Sequence, residues 1–168
     1  MIKKTLAAIM IAIPMLVAAQ APKFGTVTVE PILEAMPERA NVQTQLETAS
    51  KTYEDEYKKL TEELDKKYGE FQKLSEDKTT PDAIKERRMQ EIQELQKKAQ
   101  QFLQTAQQDL QRQQAQLMQP IEEKIMTAIK AVGQENGFTF IIPDGVAAYQ
   151  SADVQDVTPL VKAKLGIK

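Results

Sequence analysis

Apolar residues recur every three or four positions along two long stretches of this chain, residues 42–75 and 84–132. Between them lies a short segment with Thr79, Thr80 and Pro81, a composition typical of a turn. Residues eleven positions apart share one face, and an 11-residue repeat winds a helix pair gently right-handed. The pattern therefore predicts two long helices that fold back on each other into a thin antiparallel arm.

The apolar stripe predicts which side chains form the seam between the two helices. In the first helix the predicted seam contains Leu46, Tyr53, Tyr57, Leu60, Leu64, Tyr68 and Phe71, and in the second Ile92, Leu95, Leu103, Leu110 and Leu117. Gly69 is expected to soften the arm, because glycine costs a helix about 1 kcal/mol relative to alanine. Pro120 is expected to kink the second helix, because proline removes a backbone hydrogen bond. These two positions are the predicted hinges.

Three apolar residues, Met89, Phe102 and Met118, lie off the predicted stripe. Methionine adapts to varied partners because its side chain is unbranched and polarizable. We therefore expect these residues as candidate contacts for a bound partner. Phe102 borders Leu103, so a wider seam is the alternative interpretation for it.

The N-terminus has the layout of a secretory signal peptide. Lys3 and Lys4 precede an apolar run at residues 6–17, and small residues follow. The run is shorter than the ~20 residues that span a bilayer, so no stable membrane anchor is expected. We predict a signal peptide at residues 1–19, with cleavage after residue 21 as the alternative, and a mature protein that is exported and soluble.

The composition disfavours several classes of protein. The chain has no Cys and no His, which removes disulfides, thiol nucleophiles and imidazole bases or ligands. Its formal net charge of −2 argues against a nucleic-acid binder, which needs a basic surface. No phosphate-binding loop or metal-ligand spacing is present in the sequence. No catalytic residue, cofactor or metal site is predicted.

The remaining sequence predicts a small β-rich body. Residues 24–29 alternate as an opening strand, and residues 138–142 form a second strand that an Asp144-Gly145 turn returns as a hairpin through residues 146–149. The residues predicted for the body core or an oligomer interface are Val27, Val29, Phe138, Phe140, Ile142 and Tyr149. Pro159 is expected to open a short terminal helix.

The predicted body consists of residues 20–40 and 120–168, and the predicted arm of residues 41–119. A body of fewer than ~70 residues rarely buries enough apolar surface to be stable alone, and this one has no disulfide or metal. A small sheet also leaves open edges that need a neighbour. We therefore expect an obligate homo-oligomer held together by the body, with the arms projecting. The fold class is α+β, mainly α.

The order of these elements resembles the periplasmic chaperones of the Skp/OmpH family. The resemblance covers nearly the whole mature chain, and the segments that carry it are GTVTV, EAMPE, QPI, AIKAVGQENGFTFIIP and the tail AAYQSADVQDVTPLV. It implies a jellyfish-like homotrimer whose β-rich body carries three helical tentacles. It further implies that unfolded outer-membrane proteins are held in the cavity between the tentacles without ATP, in the periplasm and with no cofactor.

Lipid-binding residues are not carried over from the family, because residues 38–119 contain 14 Lys or Arg against 16 Asp or Glu. Only a peripheral contact with the envelope is left open. Two rival functions are also open. The hairpin of an envelope adaptor would dock partner helices, although adaptor hairpins usually interrupt larger β-rich domains than this chain offers. An envelope enzyme is the third alternative, and the missing His and Cys disfavour it.

Overall fold

A computed structural model describes residues 21–168 of the chain, so the predicted signal peptide lies outside the described residues. Along this part of the chain the elements are β1 (Lys23–Val27), α1 (Val29–Ala35), α2 (Pro37–Glu76), α3 (Asp82–Glu135), β2 (Phe138–Pro143), β3 (Gln155–Asp156) and α4 (Thr158–Leu165). None of the described helices combines the length and hydropathy needed to cross a bilayer. Long helices thus dominate, and the strands form one small sheet.

The helices α2 and α3 form the predicted antiparallel hairpin. Side-chain pairs join Glu38 to Lys124, Tyr53 to Asp109 and Lys67 to Glu91, so residue numbers rise in α2 as they fall in α3. The connection is residues 77–81, where Thr79 and Thr80 bond the side chain of Asp77. The fold class predicted from the sequence, mainly helical with a long hairpin on a small sheet, is confirmed.

Burial along the arm recurs every seven residues and not every eleven. The shielded positions include Leu46, Ser50, Tyr53, Tyr57, Leu60, Leu64, Lys67 and Phe71 in α2, and Ile92, Leu95, Ala99, Phe102, Ala106, Asp109 and Gln113 in α3. A seven-residue spacing favours a left-handed winding, whereas the apolar residues alone favoured a right-handed one. The two patterns differ because polar residues such as Lys67 and Asp109 also occupy seam positions.

Two residues predicted for the seam lie outside it. Leu103 is 46% exposed, and its neighbour Phe102 takes the seam position with its ring edge-on to Tyr53, 6.1 Å between centroids. Tyr68 is also exposed, and its hydroxyl accepts a hydrogen bond from Gln96 Nε2. The prediction is wrong for Leu103 and Tyr68, and Phe102 packs within the arm as the alternative interpretation had it.

The sheet is parallel throughout, with strand order β2-β1-β3. The predicted return strand at residues 146–149 is absent, and Gln155–Asp156 pairs with β1 instead. The Asp144-Gly145 turn does not close a hairpin, because the Asp144 N–H donates to Val27 O (2.9 Å) and ties the turn to the end of β1. The predicted β-hairpin is therefore wrong.

The first strand is shorter than predicted. It ends at Val27, and Val29 already begins α1, with Pro31 in the first turn of that helix where proline loses no needed hydrogen bond. Val29 is 38% exposed, so it lies outside the core of the single chain, and of the two predicted roles only an oligomer interface is left for it. Val27 is buried.

A bulge in β2 decides which residues face the core. Lys23 pairs with Phe138 but Phe24 pairs with Phe140, so Thr139 is an extra residue on β2. An extra residue shifts the alternation by one, which sends Phe138 and Ile141 towards the core. Phe140 and Ile142 lie on the opposite, exposed face, so they do not join the core of the single chain as predicted.

The core lies where the base of the arm meets the sheet. It is built from Val27, Ile32, Met36, Val42, Ile121, Ile125, Ala128, Ile129, Val132, Val157 and Val161. The helix α3 continues through Pro120 and supplies five of these residues, so it runs without interruption from the arm tip into the body. It ends before Gly137, whose φ of 67° suits glycine and allows the turn into β2.

Candidate functional site

The exposed face of the sheet is apolar. The rings of Phe24 and Phe140 stack in parallel, 6.2 Å between centroids and 4° between planes, and they are 44% and 63% exposed. Ile142 lies beside them. Tyr149 is 83% exposed, so it lies outside the core of the single chain, and of its two predicted roles only an oligomer interface is left. These side chains, with Val154, line a cavity of about 430 Å³. Contiguous exposed aromatic surface of this kind marks an interaction site.

The core-facing side of the same sheet is tightly held. A Cβ on Gly25 would lie 3.0 Å from the ring of Phe138 and 3.1 Å from Val157, so any larger residue would push β1 off the core. Lys23 is the register partner of Phe138, and its Nζ lies 4.1 Å from the centre of the Phe138 ring. The sheet is thus packed closely on the core through one face, which leaves the other face exposed.

The Asp156-Val157-Thr158 segment of the tail anchors α4 to β1. Asp156 Oδ1 accepts from the Thr158 N–H (2.9 Å) and hydroxyl (2.6 Å), and Thr158 Oγ1 accepts from the Thr28 N–H (2.9 Å). The Val157 N–H donates to Thr26 O at 2.8 Å, and Val157 itself is fully buried. The tail motif quoted above therefore closes the body, a role that its sequence alone did not reveal.

A polar cluster interrupts the apolar seam in the middle of the arm. The Asp109 carboxylate accepts hydrogen bonds from the Tyr53 hydroxyl and from Gln113 Nε2 (2.7 Å), and it pairs with Arg112. The Asp109 side chain is only 18% exposed, so these partners compensate its desolvation. Sequence analysis missed this cluster, because nothing in the apolar pattern marks a buried carboxylate.

Paired charges stabilise the distal half of the arm. Glu91 accepts from Arg88 Nη1 at 2.7 Å and lies 3.7 Å from Lys67 Nζ across the seam, and its pKa is lowered chiefly by the Arg88 hydrogen bond. At the tip, the hydrogen bonds from Thr79 lower the pKa of Asp77. These carboxylates are structural partners of cations and hydroxyls.

At the base of the arm, Lys124 Nζ lies 2.5 Å from Glu38 Oε1, and this bond lowers the pKa of Glu38. Within residues 21–168 no group of His, Cys, Asp or Glu is placed to hold a metal ion.

The remaining predicted residues are spread along the arm. Met89 and Met118 are half-buried, and Met118 packs against the body core. Gly69 lies inside α2 with open space where a side chain would be, and Pro120 is exposed within α3. Between the helices, a shallow groove of about 340 Å³ contains Leu46 and Leu110 with glutamines at its rim. The predicted residues do not converge on one pocket.

Comparison with known proteins agrees with this architecture. The family model described as "Outer membrane protein (OmpH-like)" matches residues 23–165. The chain is 30% identical over 141 residues to the Chaperone protein Skp of Pectobacterium atrosepticum, covering 82% of each chain. It also matches the crystal structure of an OmpH-like outer membrane chaperone from Caulobacter crescentus with a TM-score of 0.70 and 15% identity. That match covers 86% of this chain and 84% of the other.

The structural match supports the fold alone, because its sequence identity is low. The family match spans nearly all described residues, from β1 to the end of α4. The relative that is 30% identical is named as a chaperone. The chain therefore belongs to the OmpH-like outer membrane protein family and is a non-enzymatic member of it.

Proposed function

We propose that this protein is an ATP-independent holdase of the periplasm that keeps unfolded outer-membrane β-barrel proteins from aggregating. The observation that carries the proposal is a long two-helix arm mounted on a small body with an exposed aromatic sheet face. The names of the two related proteins, Chaperone protein Skp and OmpH-like outer membrane chaperone, support the same function. The N-terminal signal-peptide pattern supports export.

The aromatic face supports assembly of several chains through their bodies. The stacked rings of Phe24 and Phe140, together with Tyr149, expose a large apolar area that a neighbouring body would cover. The outer edge of β2 is also unpaired within the described residues, and such an edge favours a partner. Because the chain resembles the Skp/OmpH family, we infer that this assembly is a homotrimer, in which body residues 20–40 and 120–168 assemble and the arms, residues 41–119, enclose a cavity.

The arms supply the reach that holding an unfolded chain requires. At 1.5 Å per residue, the 40 residues of α2 extend about 60 Å. Unfolded outer-membrane strands expose alternating apolar residues and unpaired backbone groups, which aggregate by edge pairing. Many weak contacts inside a cavity would hold such a chain and exclude a second one. Bending near Gly69 and Pro120 would adjust the width of the cavity.

Light scattering of the mature protein, alone and with a urea-diluted outer-membrane β-barrel protein, tests this proposal. We expect a trimer mass that increases by one client and a solution that stays clear without nucleotide. A monomer, or a trimer that leaves the turbidity of the client unchanged, would contradict the proposal and favour an adaptor that docks partner helices.

A further inference from the structure

The two sides of the arm differ in chemistry. Because burial recurs every seven residues, residues seven apart lie on one line along α3. Beside the seam on one side the line is Met89, Gln96, Leu103, Leu110 and Leu117. On the other side it is Glu91, Lys98, Thr105, Arg112 and Gln119. We name these two lines the leucine flank and the polar flank.

The leucine flank has apolar surface that the fold leaves accessible. Leu103 is 46% exposed although its neighbour Phe102 fills the seam. Next along the line, Leu110 and Leu46 form the floor of the groove of about 340 Å³ between the helices. The groove is open to solvent along the arm, so the flank offers an elongated apolar strip in place of a closed pocket.

Amide side chains surround this strip. Gln107, Gln111 and Gln114 stand at the rim of the groove. Each glutamine amide provides two donors and one acceptor oxygen, so it can bond either a free N–H or a free C=O group. The rim is thus suited to a polypeptide backbone whose hydrogen bonds are unmade.

The middle of α3 is almost free of charge. Among residues 99–119 only Asp109 and Arg112 are charged, and they pair with each other at the seam and on the polar flank. On the α2 side of the groove, Glu47 accepts a hydrogen bond from Gln43 Nε2 at 2.9 Å. An occupant of the leucine flank therefore meets apolar and amide groups, with the Glu47 carboxylate as the one charged group among the described residues that line the groove. This surface suits an extended segment with few charges better than an acidic one.

We propose that the leucine flank binds extended segments of the unfolded client, with client apolar side chains on the leucines and client backbone on the glutamines. The proposal rests on the holdase function and names the arm surface that performs it. At 1.5 Å per residue the line from Met89 to Leu117 is about 42 Å long. A transmembrane β-strand of roughly 10 residues spans about 34 Å, so one strand fits along the flank.

Adjacent identical residues provide the test. Gln107 borders the leucine flank, whereas Gln108 lies towards the polar flank, and both are exposed. We would replace each in turn with photoreactive benzoylphenylalanine in the full mature chain and add a urea-diluted eight-stranded outer-membrane protein. After irradiation, we expect several-fold more client adduct from position 107 than from position 108. Turbidity of the same samples reports whether the client is protected.

A second pair of variants checks the result without a photoreactive group. We expect Leu103→Gln to weaken client binding several-fold and Thr105→Gln, on the polar flank, to leave it unchanged, with helicity equal in both. If the client stays soluble but positions 107 and 108 give equal amounts of adduct, the leucine flank is not the binding surface. The holdase function would stand in that case. Adducts from position 107 to a second copy of this chain would show that the flank is an interface between arms. Loss of both protection and adducts would overturn the holdase function itself.

Discussion

At the scale of single residues, Asp109 is the least expected feature of the arm. It occupies a seam position at which an apolar residue would be usual, and hydrogen bonds from Tyr53 and Gln113 hold its carboxylate there. A polar group in a helix seam generally costs stability and fixes the register of the two helices. In a hairpin this long, such a fixed point would keep α2 from sliding along α3.

We predict that Tyr53→Phe destabilises the arm by about 1 kcal/mol, because it removes one hydrogen bond from a partly buried carboxylate. The ring contact with Phe102 would remain, so the effect isolates the hydroxyl. Amide hydrogen exchange along α2 and α3 would measure it as faster exchange around residues 53 and 109. Tyr57→Phe is the matched control, since the Tyr57 hydroxyl makes no hydrogen bond within residues 21–168. Equal exchange in the two variants would contradict the prediction.

At the scale of elements, Gly69 is the softest position in α2. A Cβ there would meet nothing within 4 Å, so the replacement of this glycine carries no steric penalty. We predict that Gly69→Ala stabilises α2 by up to about 1 kcal/mol and slows local amide exchange, because alanine is the better helix former. If Gly69 acts as a hinge of the arm, the variant should also hold a narrower range of client sizes.

Gly133→Ala is the control for the hinge, because Gly133 lies in the body segment of α3 and its Cβ would contact Ile141 at 3.4 Å. It should change the stability of the body and leave the arm unaffected. If Gly69→Ala left both arm exchange and client capacity as they are, bending near this position would play no part in the function.

The turn at the arm tip should depend on pH. Hydrogen bonds from Thr79 lower the pKa of Asp77 below its ordinary value of 3.8, so the folded turn favours the ionised carboxylate. The stabilisation is therefore complete above the unfolded pKa and is lost as pH falls through the lowered folded value. We predict that the ends of α2 and α3 fray below about pH 4, whereas Asp77→Asn frays them at neutral pH. NMR titration of Asp77 would show a midpoint below 3.8, and an ordinary midpoint would contradict the account.

The helices could be predicted from the sequence because periodicity, proline and glycine act locally. Helix α3, at Asp82–Glu135, covers the predicted stretch 84–132, and α4 begins beside Pro159 as predicted. The heptad seam was missed because Lys67 and Asp109 enter it through partners on the other helix, which no local pattern records. Leu103, an apolar residue on the flank, added to the same error.

The sheet was harder to predict for a related reason. Strand alternation located β1 and β2, but the bulge at Thr139 moved Ile141 into the core and Phe140 out of it. The two-residue strand at Gln155 exists only because β1 pairs with it from 130 residues away in the sequence. Long-range pairing of this kind depends on the assembled core.

At the scale of the whole molecule, α3 joins the two functional parts. Its first half forms the arm, and its last residues, including Ile125 and Val132, lie in the body core. With 54 residues it extends about 81 Å. A load on the arm is therefore transmitted to the body through one continuous helix. In the proposed trimer, assembly of the bodies would fix where each arm begins.

The last prediction concerns assembly of the bodies through the exposed face of the sheet. Phe140 is 63% exposed and stacks on Phe24, so Phe140→Glu would place a charge in the centre of the proposed interface without disturbing the core. Burying an unpaired carboxylate in an apolar interface is strongly unfavourable. We predict that the variant sediments as a folded monomer and no longer keeps the client soluble. Ile84→Glu, a similar change at an exposed residue near the arm tip, should keep the trimer mass. A trimeric Phe140→Glu variant would show that the bodies associate through another surface, such as the open edge of β2, and that the aromatic face serves the client instead.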